Sequence, residues 1–167
     1  LLKAVDFSIY RPNAYVFLRR YSRILDGHDL DVQYMSRFIL ETSLHCHKAM
    51  IERESKRAAA AVWLARAVLG NHSAHKNQET SSLKRDRASL LAELWPSTLV
   101  YCTRYSERSV RNLAEILHDN VLSMIDAALQ SHDPLTGHAI KRTVYKYHNQ
   151  IFRYVAAKYK KLANRNL

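Results

Sequence analysis

The sequence predicts an all-α domain in which several helices surround one slim central helix, and three observations carry that prediction. The stretch SKRAAAAVWLARAVLG, residues 55–70, holds six alanines and one tryptophan and is apolar nearly all the way round. A helix of that kind belongs inside a protein, and alanine, the strongest helix former, lets neighbours approach closely. Only three glycines and three prolines punctuate the 167 residues, too few turns for a sandwich or a barrel. Elsewhere the apolar residues recur mostly at helical spacing.

Taken in order, LLKAVDFSI (residues 1–9) reads as the last turns of a helix, and the chain begins without methionine, as expected for part of something longer. Pro12 then stands where a helix start tolerates it. NAYVFLRRYSRIL forms the first full helix, with Tyr15, Leu18 and Leu25 inward and Arg19, Arg20 and Arg23 on another side, ended by Gly27. DVQYMSRFILETSLHCHKAM gives the second, with Met35, Phe38, Ile39, Thr42 and Cys46 as its inner stripe. The alanine helix is third. Residues 71–91 are polar and aperiodic, as in a long surface loop, and WPSTLVYCTRY is a short packed segment.

Ser106 caps the fourth helix, and Val110, Leu113, Leu117, Val121 and Met124 line its inner side. SHDPLTG breaks it. HAIKRTVYKYHNQIFRYVAAKYKK reads as a single fifth helix that buries Ile140, Val144, Tyr147, Ile151 and Val155 and shows its cations to solvent.

The charge narrows the classes of partner. The chain carries +11, from 26 basic and 15 acidic residues, and from Pro134 to Leu167 it has no acid at all. Such a face attracts nucleic acid, acidic membranes or acidic proteins, or else only keeps a helix solvated. No apolar run is long enough to span a bilayer, so no membrane role is expected. Two cysteines, Cys46 and Cys102, make no disulfide framework and fit a reducing compartment. His45, Cys46 and His47 carry ligand-type side chains, but consecutive helix positions point apart and do not converge on zinc. No glycine-rich phosphate loop, nucleophile elbow or metalloprotease motif occurs. No catalytic residue, metal or cofactor is expected, and the chain does not read as an enzyme.

Five segments, FLRRYSR, DV…MSRFILETSL, SKRAAAAVWLA, WPSTL…YS and IKRTVYKYHNQIF, together resemble the C-terminal cyclin box of the B-type mitotic cyclins. The last of them is most similar to the third B subtype. The resemblance implies a five-helix cyclin box over residues 11–162, preceded in residues 1–10 by the end of the last helix of an N-terminal box. An inserted loop at 71–91 and a tail at 163–167 complete the division. It implies a nuclear protein, with the cytoplasm as a second location. Such a protein is a non-catalytic subunit that binds and activates a cyclin-dependent serine/threonine kinase of mitotic type. It directs that kinase's substrates at G2/M in mitosis or meiosis.

Leu2 and Ile9 match positions that contact the kinase, while most kinase contacts in the family belong to the N-terminal box. A phosphate-binding pocket for phosphorylated substrates or regulators would use Arg20 and Arg37, with Gln33 where the family often has histidine. The plain alternative is that these arginines are ordinary surface cations or pair with Asp31 or Glu41. The rival function is a basic helical nucleic-acid-binding module of the transcription-factor cyclin-fold type. Tyr145, Tyr147, Phe152 and Tyr154, expected near the buried stripe, do not favour it. A helical scaffold that binds proteins without a kinase is the third reading.

Overall fold

Side-chain caps fix where the main helices start. Asn13 accepts a hydrogen bond from the Val16 amide at 3.2 Å and opens α1, Ala14–Ile24. Pro12 thus lies just outside the helix. Asp29 accepts from the amides of Asp31 and Val32 at 2.9 and 3.2 Å and opens α2, Leu30–Thr42. These oxygens satisfy amides that lack a partner in a first helical turn. Ser106 does the same for α6, Glu107–Gln130, through the Ser109 amide. The computed structural model describes residues 2–5, 12–25, 29–76, 94–130 and 137–166.

The second helix is shorter than the sequence predicts. Thr42 and Ser43 donate their hydroxyls back to the carbonyls of Ile39 and Leu40 at 2.8 and 2.6 Å, competing with continuation of the helical ladder. Asn120 of α6 donates to the Thr42 carbonyl at 3.1 Å and holds that end in place. A 3-10 turn, Ser43–His45, and a single-turn α3, His47–Met50, follow. Cys46 sits between them in extended backbone, so it does not extend the inner stripe of α2.

The alanine helix is α4, Glu54–Lys76. Ala58 to Ala61 and Ala65 have no exposed surface, and Val62, Trp63, Leu64, Ala67 and Val68 are buried with them. α1, α2, α6 and the C-terminal helix all pack against it. Small side chains at the axis allow that close approach. The helix runs on through Lys76, so the predicted loop does not begin at residue 71; residues 77–91 lie outside the described residues.

At its other end, Arg57 is 1% exposed and pairs with Glu54 at 2.5 Å. Glu54 in turn accepts the Ala14 amide at 3.0 Å, so one carboxylate ties the start of α4 to the start of α1.

After Trp95 comes the short α5, Ser97–Thr103, ended by Arg104 in left-handed backbone (φ 62°). The Trp95 indole donates to the Tyr105 carbonyl at 3.3 Å, and the Tyr105 hydroxyl meets Ser55 at 2.9 Å. These contacts fasten the link to the base of α4. All five predicted inner residues of α6 are buried.

The predicted fifth helix is two helices, α7, Gly137–Tyr147, and α8, Val155–Asn166, joined by a 3-10 turn at Gln150–Phe152. Arg153 and Tyr154 both adopt positive φ, 57° and 55°, a conformation costing roughly 1–2 kcal/mol per residue. Aromatic packing at the break offsets that cost. The Phe152 ring lies 4.9 Å from Tyr147 and edge-on to Tyr34 at 5.8 Å.

The break turns Ile151 outward at 72% exposure, against expectation, while Val144, Tyr147 and Val155 are buried as expected. The Ile140 side chain lies outside the described residues. Of the four aromatics placed near the buried stripe, Tyr147 and Phe152 are there, whereas Tyr145 and Tyr154 are exposed.

Of the expected N-terminal helix end, Leu2–Val5 forms a 3-10 turn, and residues 1 and 6–9 lie outside the described residues. Among the described residues there is no strand, and no helix is long and apolar enough to cross a membrane.

Candidate anion-binding site

α1 presents its inward face through Ala14, Leu18 and Tyr21, with Leu25 half-buried behind them. The stripe therefore runs through Ala14 and not Tyr15, which is exposed. That rotation decides where the arginines point. Arg19 and Arg23, one turn apart, form an exposed ridge. On one side of the ridge lies α2, and on the other α5.

The α2 side holds a pocket of about 220 Å³ lined by Tyr15, Leu18, Arg19, Ser22, Arg23, Gln33 and Arg37. Among the described residues the lining contains no carboxylate. The Arg37 guanidinium lies over two rings, 5.4 Å from the centre of Tyr15 and 5.5 Å from that of Tyr34. Cation–π contacts of this kind hold a guanidinium in place without neutralising it.

The two acids proposed as alternative partners of Arg37 are engaged elsewhere. Asp31 pairs with Arg153 at 2.8 Å and Lys158 at 3.1 Å. Glu41 binds Lys146 at 2.8 Å and accepts from the Tyr147 hydroxyl at 2.8 Å. Among the described residues Arg19, Arg23 and Arg37 form no ion pair.

The α5 side holds a wider groove of about 600 Å³ lined by Val16, Arg19, Arg20, Arg23, Ile24 and Cys102. Arg20 belongs here. Successive helical residues diverge by about 100°, so FLRR sends its two arginines to different sides of the ridge. The structure brings Gln33 and Arg37 together as expected but puts Arg19 and Arg23 beside them in place of Arg20.

The sequence carried the signal for that correction. Tyr15, Arg19 and Ser22 share a face at i, i+4 and i+7.

Three arginines converging on one pocket whose described lining holds no acid can grip a doubly charged oxyanion, because each guanidinium offers paired donors that match phosphate oxygens. The amide of Gln33 adds hydrogen-bonding groups but no charge.

Other sequence candidates fare differently. Leu2 opens the 3-10 turn, with its side chain outside the described residues, and Ile9 lies outside them altogether. His45 and His47 are exposed and Cys46 half-buried. Among the described residues no group of three metal-ligating side chains comes together.

Four cations of the basic C-terminal region meet carboxylates within the fold, while Arg142 and Lys161 are exposed and form no ion pair among the described residues. Besides the cations held by Asp31 and Glu41, Lys160 pairs with Asp126 at 2.9 Å. Burial, then the bond to Glu41, pushes the Tyr147 hydroxyl far above the ordinary phenol value, so it stays a donor. Tyr159 of α8 is fully buried, with its hydroxyl 2.6 Å from Nδ1 of His118 on α6. Burial pushes His118 below its ordinary value, with Asp119 acting weakly the other way.

The cyclin C-terminal domain family matches residues 12–157. G2/mitotic-specific cyclin cdc13 of Schizosaccharomyces pombe is 32% identical over 77 residues, 46% of this chain and 16% of that one. G2/mitotic-specific cyclin-B of Drosophila melanogaster is 30% identical over 118 residues, 70% of this chain and 20% of that one. G2/mitotic-specific cyclin-B of Emericella nidulans is 25% identical over 119 residues, 71% and 20% of the two chains. The matches thus span about a fifth or less of these relatives' length. With its helices arranged around an alanine axis and a match from residue 12 to residue 157, the chain belongs to the cyclin family as a C-terminal cyclin domain, similar to those of the B-type mitotic cyclins.

Proposed function

We propose that this chain serves as the C-terminal box of a B-type cyclin, the non-catalytic partner of a cyclin-dependent serine/threonine kinase at G2/M. In that role it contributes a docking site for phosphorylated substrates or regulators. The family match and the G2/mitotic-specific names of its relatives support the regulatory role. Phosphoryl transfer needs a lysine–glutamate pair and a magnesium-binding aspartate, which the kinase supplies; the cyclin acts by binding one of its conformations better than another. Leu2 and Ile9 are the positions assigned to the kinase. The chain acts in the nucleus, with the cytoplasm as a second location.

The observation that carries the docking role is the convergence of Arg19, Arg23 and Arg37 on one pocket with no carboxylate among its described lining residues. The nucleic-acid reading has no such support, since Lys146, Arg153, Lys158 and Lys160 are held by Glu41, Asp31 and Asp126.

Two measurements test the proposal. In calorimetry with a phosphoserine peptide, the Arg19→Ala, Arg37→Ala double variant should bind about 100-fold more weakly, or roughly 3 kcal/mol. Equal affinity would dispose of the pocket. With a purified mitotic cyclin-dependent kinase, residues 1–167 should not give full stimulation, and full stimulation would overturn the assignment of so few contacts to this domain.

A further inference from the structure

The ridge of Arg19 and Arg23 is shared between the α2 pocket and the α5 groove, and the two sides differ in chemistry. The α2 side is polar and cationic, with an aromatic wall. On the α5 side Val16, Arg20 and Ile24 follow one another along α1 at i, i+4 and i+8, facing Cys102. In that groove Val16, Ile24 and Cys102 stand among three guanidiniums, with Arg20 lying between the valine and the isoleucine.

Val16 is 45% exposed and Arg20 is exposed, while Ile24 and Cys102 are half-buried. Arg20, like its two neighbours, forms no ion pair among the described residues. An isolated anion needs only the first side. Valine, isoleucine and cysteine side chains beside three cations that form no ion pair among the described residues suit an apolar side chain carried on an acidic peptide segment.

We propose that the two cavities form one composite site for an acidic phosphopeptide that crosses α1. Its phosphate lies against Arg19, Arg23, Gln33 and Arg37, and an apolar side chain fills the groove of Val16, Ile24 and Cys102. An acidic residue beside that side chain meets Arg20. This inference rests on the phosphate reading of the first pocket and adds the specificity that a bare phosphate site lacks.

Geometry sets the spacing. A helix with its side chains is about 10 Å across, and an extended peptide advances roughly 3.3 Å per residue. The apolar residue therefore stands about three or four positions from the phosphorylated one.

Two readouts on the 167-residue chain separate this inference from the phosphate reading. The first is affinity for acidic phosphoserine peptides carrying one leucine three or four positions before or after the phosphoserine, each compared with its glycine counterpart. The second is the rate of Cys102 alkylation by a maleimide, followed by peptide mapping, with each peptide at saturation.

At one of these four spacings leucine should tighten binding about tenfold and slow Cys102 alkylation at least fivefold, while Cys46 reacts at an unchanged rate. Phosphate-dependent binding with no leucine effect at any spacing and no protection of Cys102 would overturn the composite site and leave the phosphate pocket standing. Binding that is equal with and without the phosphate would remove both.

Discussion

Two basic surfaces of this domain carry comparable charge and differ in what surrounds it. On the C-terminal helices, Lys146, Arg153, Lys158 and Lys160 each meet a carboxylate contributed by α2 or α6. On α1, Arg19, Arg20 and Arg23 meet none among the described residues, and the nearest added cation, Arg37, is held by tyrosine rings. The first surface looks more basic in the sequence, because its acids lie from 34 to 127 residues away. The second gathers its cations around one pocket, where they can meet a single ligand. Where the acids fold back matters more for function than how many lysines and arginines a segment contains.

The most severe way to break this contrast is to put an acid where none exists. Arg23→Glu places a carboxylate on the shared ridge and should weaken phosphoserine-peptide binding by at least 100-fold, or about 3 kcal/mol, with the thermal midpoint nearly unchanged because the residue is exposed. Calorimetry and a thermal scan check both halves. If the midpoint fell while affinity held, the arginine would be structural.

The converse change acts on the neutralised surface. Glu41→Gln removes a carboxylate that binds Lys146 and accepts from the buried Tyr147. The expected loss is roughly 1–2 kcal/mol of stability, read by chemical denaturation, with phosphopeptide affinity unaltered. A variant of unchanged stability would show that the pairing is incidental.

A smaller effect separates the surfaces by pH. Burial holds His118 below its ordinary value beside Tyr159. The unfolded chain takes up this proton more readily than the folded one, so stability is complete above about pH 6.5 and falls as the pH drops below it. His118→Gln should remove that fall, as read by chemical denaturation across the pH range. An identical pH profile in the variant would exclude His118 as the source.

Much of the fold was legible in the sequence, because helix period and an all-apolar alanine run are local signals. α1, α4 and α6 are where the spacing puts them, and every inner residue predicted for α6 is buried. The failures lie where tertiary contacts override a local pattern. Nothing in HNQIFRY signals a helix break; Arg153 and Tyr154 carry left-handed backbone because Phe152 can then pack on Tyr147 and Tyr34. The end of α2 is decided by hydroxyls bonding backwards and by Asn120, seventy-eight residues away.

The candidate site was half legible. Gln33 and Arg37 share a face of α2 and stay together, but choosing between Arg19 and Arg20 needs the rotation of α1, set by whether Ala14 or Tyr15 faces the core.

Arginine Nε–H resonances of the labelled chain, followed during titration with a phosphoserine peptide, test the central contrast most directly. The account predicts that Arg19, Arg23 and Arg37 shift together in a saturable way while Arg153, already bound to Asp31, stays still. Movement of Arg153 with no change in those three would contradict it.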